Sequence, residues 1–453
     1  MASLSKRSTF SGRIGFVLAA AGSAVGLGNI WRFPYLAAKY GGGTFLLVYI
    51  ILAVTFGFSL MIAEIALGRK TRLSAIGAYR ALNRKSSFIG VLSSLIPIII
   101  VPYYCVIGGW VTKYIEVYLT GQGAVAATDT YFNSFISSPS APVFWLSVFV
   151  IAAGVIVLLG VEKGIEKASK ILMPALVILT IVIVGFTLTM ENAGAGIAYY
   201  FIPDFSKFSV NLVLAALGQL FYSMSLAMGI MITYGSYMPK ETNLEKSVGQ
   251  IELFDTGIAI LAGLMIVPAV FSFSGGDEAM LQSGPGLMFV TLPKVFQKMP
   301  LGNIVGALFF ILVFFAALTS AISLLETVIS IFTDRLKCSR KIVCVGVILF
   351  TLIAAIPSSL GFGLWSEFTI FGFSILDFFD FLSNSVLMPI VAFLTCIFIG
   401  FVVKPNTVIE EVELSSKFRR KKMFVVIIKY VAPLCIVAIL ISSVLNAFGV
   451  ISL

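Results

Sequence analysis

The chain has 453 residues, of which 59% are hydrophobic and only 11% charged, with a formal net charge of +10 and no histidine. Soluble domains carry about 25% charged residues, so a water-soluble globule is excluded and much of the surface must face lipid. Without imidazole, histidine metal sites, Ser-His-Asp triads and histidine proton relays are excluded too.

The apolar runs are long and continuous rather than alternating. A bilayer crossing takes roughly 20 apolar residues in a helix, and in lipid the backbone must satisfy its own hydrogen bonds. Eleven helical spans are therefore expected, at 14–36, 44–68, 88–118, 143–161, 168–190, 208–237, 250–274, 302–334, 342–360, 369–402 and 424–448. The leading segment 1–13 carries Lys6, Arg7 and Arg13 but no small-residue cleavage site, so no signal peptide is expected.

The first span holds AGSAVGLGN, Ala21 to Asn29, followed by Arg32 and Pro34. Its glycines permit either an unwound segment or close helix packing. Glu64 lies at the inner end of the second span, either holding unwound backbone N–H groups or packed at the interface. Gly164 and Pro174 mark the cytoplasmic end of the fifth span, where Pro174 cannot donate to the carbonyl of Lys170. That end is expected either to unwind or merely to kink. The sixth span is interrupted by SMSLAMG, Ser223 to Gly229. Paired interruptions opening two groups of five spans point to a binding site at mid-membrane.

Charges inside the membrane cost about 2.5–3.5 kcal/mol each on insertion scales, so they face a cavity or a partner. Asp255 in the seventh span is a cation ligand, a fixed counter-charge or a protonated carboxyl. Arg32 and the tenth-span pair Asp377 and Asp380 form either an outer gate or a static ion pair. Between the seventh and eighth spans, segment 275–301 is rich in Gly and Pro and reads as a helical hairpin cap or an interfacial loop. The five cysteines, Cys105, Cys338, Cys344, Cys396 and Cys435, fall in spans or inner loops and suggest no disulfide.

With the N-terminus inside, most of the 31 Lys and Arg fall in inner loops, a strong positive-inside bias. The basic surplus is thus an orientation signal, and nucleic acid is not an expected partner. An odd number of spans places the C-terminus outside.

The string AGSAVGLGNIWRFPYLAAKYGGGTF resembles the first-span signature of the neurotransmitter:sodium symporter family. GQLFYSMSLAMGIMITYGSY is similar to its sixth span, FFAALTSAISLLET to its eighth and ILDFFDF to its tenth. The likeness runs from Arg7 to about residue 400. Eleven spans and short outer loops resemble the bacterial amino-acid transporter branch, in the inner (plasma) membrane.

That resemblance implies an all-α polytopic membrane protein with a LeuT-like 5+5 inverted repeat, discontinuous first and sixth helices and an eleventh span. The organisation is then a cytoplasmic segment 1–13 with an inner gate, a first repeat 14–190, a second repeat 208–402 and the last span 424–448. It implies two Na+ ions and no organic cofactor. One ion would use the carbonyl of Ala24, Asn29, Ser223, Asp255 and the substrate carboxylate. The other would use the carbonyls of Gly22, Val25 and Ala316 with the hydroxyls of Thr319 and Ser320. The substrate carboxylate would meet the N–H groups of Leu27 and Gly28 and the hydroxyl of Tyr104. Its ammonium would meet carbonyls around Ala24, Tyr222, Ser223 and Ser225. Ile100, Tyr222, Met228 and Leu324 would line the side-chain pocket. Arg32 with Asp380 would form the outer gate, and Arg7 with Asp334, near Tyr237, the inner one.

Animal members of the family need chloride, held at the positions of Tyr49, Gln219, Ser223 and Asp255, with a neutral Asn usual at the last. The aspartate here implies chloride-independent transport and leaves proton countertransport open. The expected activity is sodium-coupled uptake of a hydrophobic L-amino acid, aliphatic or aromatic, by alternating access. The oligomeric state is left open. The rival readings are a proton-coupled transporter of the same architecture and a non-transporting membrane sensor. An enzyme is not expected, since no hydrolase or cofactor motif is present.

Overall fold

The computed structural model describes residues 8–274, 285–336 and 338–447. Among these, nine helices are each long and apolar enough to cross a membrane. A tenth crossing is a pair, Arg13–Ala24 and Gly28–Lys39, bent by 56° at the break between them. The remaining expected span, the sixth, is two short helices, Val210–Ser223 and Ile230–Tyr237. All eleven expected spans thus have a helical counterpart, and the first and sixth are the divided ones.

The sequence accounts for both divisions. In the first span Val25 leaves the helix for an extended conformation (ψ 103°), while its N–H still closes the last turn on Ala21 O at 2.7 Å. Asn29 then restarts the helix, its Oδ1 accepting the N–H of Gly26 at 2.9 Å. In the sixth span, residues 224–229 leave the helix, with Ser225, Ala227 and Gly229 at φ of 53°, 64° and 74°. Glycine takes this region freely, but Ser225 and Ala227 do not. Three tethers hold them there. Ser225 Oγ donates to Ser23 O at 2.9 Å, Ala227 N–H to Glu64 Oε1 at 2.7 Å, and Ser93 Oγ to Ala227 O at 3.3 Å.

Small residues let the divided helices sit close to their neighbours. A Cβ on Gly68 would strike the carbonyl of Ile232, and one on Gly235 the carbonyl of Ile65. The second span, Gly43–Thr71, therefore packs almost backbone to backbone on Ile230–Tyr237. This is how apolar helices gain contact when lipid offers no hydrophobic drive. The third and eighth spans, Arg84–Leu119 and Gly302–Leu336, pack directly against each other.

Of the two alternatives left open for the cytoplasmic end of the fifth span, Pro174 does not unwind it: the helix Lys167–Leu188 runs through that residue. A single missing N–H is absorbed within the surrounding turns. The irregular part precedes it, a π-helical turn Val161–Glu166 that follows Gly160 at φ 88°. The expected hairpin over 275–301 lies partly outside the described residues. Its described part is a helical stretch, Leu287–Thr291 and Leu292–Lys298, which lays Phe289 against Tyr114 and Phe132 at ring separations of 5.0 and 4.9 Å.

Candidate substrate and ion site

The two breaks face each other across a small, largely apolar cavity. The first span contributes Ser23, Ala24, Gly26, Leu27, Gly28 and Asn29. The third gives Ile100 and Tyr104, the sixth Tyr222, Ser223, Ser225, Met228 and Ile230, and the eighth Ser320, Ser323 and Leu324. All ten residues expected around the substrate lie on this wall. Ser23, Gly26, Ile230 and Ser323 were not among them. Nothing in a single sequence distinguishes these small or aliphatic residues from helix-packing positions.

The chemistry follows from the breaks. Leu27 and Gly28 open a half-helix whose first N–H groups lack intrahelical partners and carry the positive end of its dipole. That is a carboxylate-binding arrangement. The buried Tyr104 hydroxyl, which has no close hydrogen-bond partner, stands in the field of the Leu27 N–H and the Ser320 hydroxyl. Glycines are needed here for room. A Cβ on Gly26 would come within 2.7 Å of Ser320 Oγ, and one on Gly28 within 2.5 Å of the Tyr222 ring.

Beside the cavity, Asn29, Ser223 and Asp255 form one hydrogen-bonded cluster. Asn29 Nδ2 donates to Asp255 Oδ1 at 2.8 Å and to Ser223 Oγ at 2.9 Å, and Ser223 Oγ donates to Asp255 Oδ1 at 2.7 Å. The Tyr49 hydroxyl reaches Asp255 Oδ2 at 3.5 Å. Asp255 is fully buried, yet among the described residues it has no Lys or Arg ion-pair partner. A buried carboxylate calls for a countercharge. The cluster therefore suits a small cation held by oxygen ligands. Gln219 lies alongside, its Nε2 donating to Gly28 O at 2.9 Å while its buried Oε1 has no partner.

A second group of oxygens lies between the first and eighth spans. Ser320 Oγ donates to Ser23 O at 3.2 Å and to Val25 O at 3.4 Å, and Thr319 Oγ1 to Ala316 O at 3.1 Å. A Cβ on Gly22 would sit 3.2 Å from Thr319 Cβ, so the Gly22 backbone abuts the same helix. The residues expected at the other ion site thus share one helix contact, and every donor atom is a hard oxygen, as an alkali cation prefers.

Arg32 and Asp380, expected to form an outer gate, make no direct ion pair in this structure. The Arg32 guanidinium lies over the Tyr222 ring, 5.5 Å from its centroid. Asp380, within the electrostatic reach of Arg32, accepts instead from Asn384 Nδ2 at 2.7 Å. Both residues are partly exposed. Asp377 is spent as a helix cap with Ser374.

At the opposite end, Arg7 lies outside the described residues. Asp334 Oδ2 accepts the Ser74 N–H at 2.9 Å. The Tyr237 hydroxyl donates to Glu326 Oε1 at 2.7 Å, and Glu326 is in turn paired with Arg340. Phe10 plugs this end against Phe16, Tyr234 and Tyr237. Glu326 was not anticipated. A fully buried carboxylate inside the eighth span was findable by the same intramembrane-charge argument that picked out Asp255.

Comparison with known proteins places the chain in a family. The profile of the Sodium:neurotransmitter symporter family matches residues 7–138 and 132–450. An uncharacterized sodium-dependent transporter of Bacillus subtilis (strain 168), YhdH, is 34% identical over 453 residues, covering 98% of each chain. The sodium- and chloride-dependent taurine transporter of Homo sapiens is 26% identical, over 90% of this chain and 73% of its own. The crystal structure of MhsT in complex with L-phenylalanine is similar with a TM-score of 0.87 at 39% identity, over 97% of this chain and 100% of that one. The fold is accordingly the LeuT-like 5+5 repeat with an added eleventh span. The two broken helices and the nearly full-length match lead to one conclusion: the chain belongs to the sodium:neurotransmitter symporter family of sodium-dependent membrane transporters.

Proposed function

We propose that this protein drives uptake of hydrophobic L-amino acids, aliphatic and aromatic, with the sodium gradient and without chloride. The observation that carries the reading is the cavity between the two breaks. Its lining combines half-helix N–H groups and the Tyr104 hydroxyl with the apolar side chains of Ile100, Met228, Ile230 and Leu324. No acidic side chain lines it, so the ligand brings its own carboxylate and an apolar side chain. The L-phenylalanine bound to MhsT, a similar chain, supports that class.

Two sodium ions serve as co-substrates. One sits among Ala24 O, Asn29, Ser223 and Asp255 and completes its shell with the substrate carboxylate. The other sits among the carbonyls of Gly22, Val25 and Ala316 with Thr319 and Ser320. Sharing an oxygen makes the bindings of sodium and amino acid cooperative, and the coupling is reciprocal. The Asp255 carboxylate, in hydrogen-bond contact with Tyr49 and Ser223, supplies the negative charge that chloride would bring.

Closure of Tyr222 and Arg32 toward Asp380 shuts the outer side. Release of Phe10 and of the Tyr237–Glu326 bond opens the cytoplasmic side. The N-terminus faces the cytoplasm and the C-terminus the outside of a bacterial inner membrane. A proton-coupled relative would need a lysine deep in the fifth span. Here Lys170 lies at the span's end, paired with Glu166 at 2.7 Å.

Uptake of labelled amino acids into proteoliposomes under imposed sodium, proton or chloride gradients tests this. Sodium alone should drive accumulation of Leu, Ile, Val, Phe, Tyr or Trp, and replacing chloride with gluconate should leave it unchanged. Uptake that stops without chloride, or runs on a proton gradient alone, refutes the assignment.

A further inference from the structure

Three serines on the cavity wall, Ser23, Ser225 and Ser323, are joined hydroxyl to hydroxyl. Ser23 Oγ donates to Ser323 Oγ at 2.7 Å and lies 3.3 Å from Ser225 Oγ. The other two protons are committed to backbone: Ser225 donates to Ser23 O at 2.9 Å and Ser323 to Ser320 O at 2.8 Å. A serine hydroxyl has one donor and two acceptor lone pairs. All three protons are therefore spent inside the protein, while most of the lone pairs are unused. Ser23 Oγ accepts from no protein group among the described residues. All three serines are buried and line the cavity. The cluster is thus a patch of acceptors with no donor to offer.

Its position is fixed by helix geometry. Ser320, Ser323 and Leu324 share one face of the eighth span at i, i+3 and i+4. Ser23 precedes the first-span break, on the opposite side of it from the Leu27 and Gly28 N–H groups. Ser225 and Met228 both lie in the unwound stretch 224–229. The acceptors therefore share the cavity lining with the apolar side chains of Met228 and Leu324.

We infer that Ser23, Ser225 and Ser323 form a specificity subsite that favours side chains carrying a hydrogen-bond donor on an otherwise apolar body, the indole N–H of tryptophan or the phenol of tyrosine. The inference rests on the amino-acid reading above and narrows its substrate class. A wholly apolar side chain leaves buried lone pairs dry, which is the source of discrimination at such sites.

The test uses the purified full-length protein with labelled L-phenylalanine bound in the presence of sodium. Unlabelled L-tryptophan and benzothienyl-L-alanine, which replaces the indole N–H by sulfur, compete for it. Both carry the same ammonium and carboxylate, and the sulfur analogue lacks the donor; the variants separate the loss of the donor from the sulfur's larger size. Tryptophan should compete about two- to tenfold better, the worth of one net hydrogen bond. In Ser23→Ala that ratio should fall toward one. Ser323→Ala, whose helix needs no hydroxyl, replaces it if the first variant does not fold, and the wild-type pair decides without any variant. Equal potency of the two ligands in the wild type, or a tryptophan advantage that survives both substitutions, overturns the subsite while leaving transport intact. If sodium promotes no binding of any amino acid in the panel, the transport reading itself falls, and the subsite with it.

Discussion

Gly28 and Tyr222 show how little room the site has. The ring stands where a Cβ at position 28 would go, at 2.5 and 2.6 Å from two of its carbons. Gly28→Ala must therefore push Tyr222 off the cavity, an overpacking change of about 1–3 kcal/mol. Sodium-dependent binding of labelled amino acid should weaken by about tenfold or more, while the sodium dependence itself is kept. Unchanged affinity would show that Tyr222 does not cap the ligand. Asp255 is the other decisive side chain. Asp255→Asn keeps its shape and removes its charge, leaving Asn29, Ser223 and Tyr49 around a neutral amide. In chloride-free buffer sodium affinity should fall by about ten- to hundredfold, the worth of a charge-assisted contact. Adding chloride should restore part of it, as uptake measured at varied chloride would reveal.

The broken sixth helix is an element held against its own preference. Ala227 has no glycine freedom at φ 64°, and its N–H is met by Glu64 Oε1 from the second span. Glu64→Ala strands that N–H at a cost of about 1–3 kcal/mol. Amide hydrogen exchange across 224–229 should quicken and substrate affinity should drop. Glu64→Gln, which keeps an acceptor oxygen, should retain most of the protection. Equal exchange in wild type and Glu64→Ala would mean the segment is held by its serine tethers alone. The fifth span teaches the reverse lesson. Gly164 and Pro174 left unwinding and a kink both open; the helix continues through Pro174, and the π-helical turn lies earlier, at Val161–Glu166, around Gly164.

The whole molecule is tied together far from the cavity by Arg69. Its guanidinium is fully buried, with Nε 2.7 Å from Glu411 Oε1 and Nη1 2.8 Å from Thr242 O, and Nη2 bonds Glu411 O. One side chain thus joins the end of the second span, the loop after the sixth and the helix Asn406–Glu413 that precedes the eleventh. Removing one partner leaves an uncompensated buried charge. Glu411→Ala should destabilise by about 3–5 kcal/mol, seen as a lower melting temperature in detergent. Replacing both, Arg69→Met with Glu411→Leu, should recover most of the loss. A single variant as stable as wild type would show that water reaches the guanidinium.

Composition and periodicity alone required a bundle of membrane helices, because a chain with so few charges and such long apolar runs has no other way to satisfy its backbone in lipid. The clustered glycines around Asn29 and the lone carboxylates of Glu64 and Asp255 were also readable, since a break or a charge at mid-membrane has a cost that local context must explain. Other features were not readable. The serine cluster joins residues some 200 and 300 positions apart, and hydroxyls leave no periodic mark. Arg32 settled over Tyr222 while Asp380 accepts from Asn384, a choice between nearby partners that the packing of the helices makes. Residue type and spacing along a chain encode which segments enter the membrane and where they break. Which hydroxyl meets which, and which charge finds which partner, is a matter of contacts between helices, and those exist only once the helices are packed.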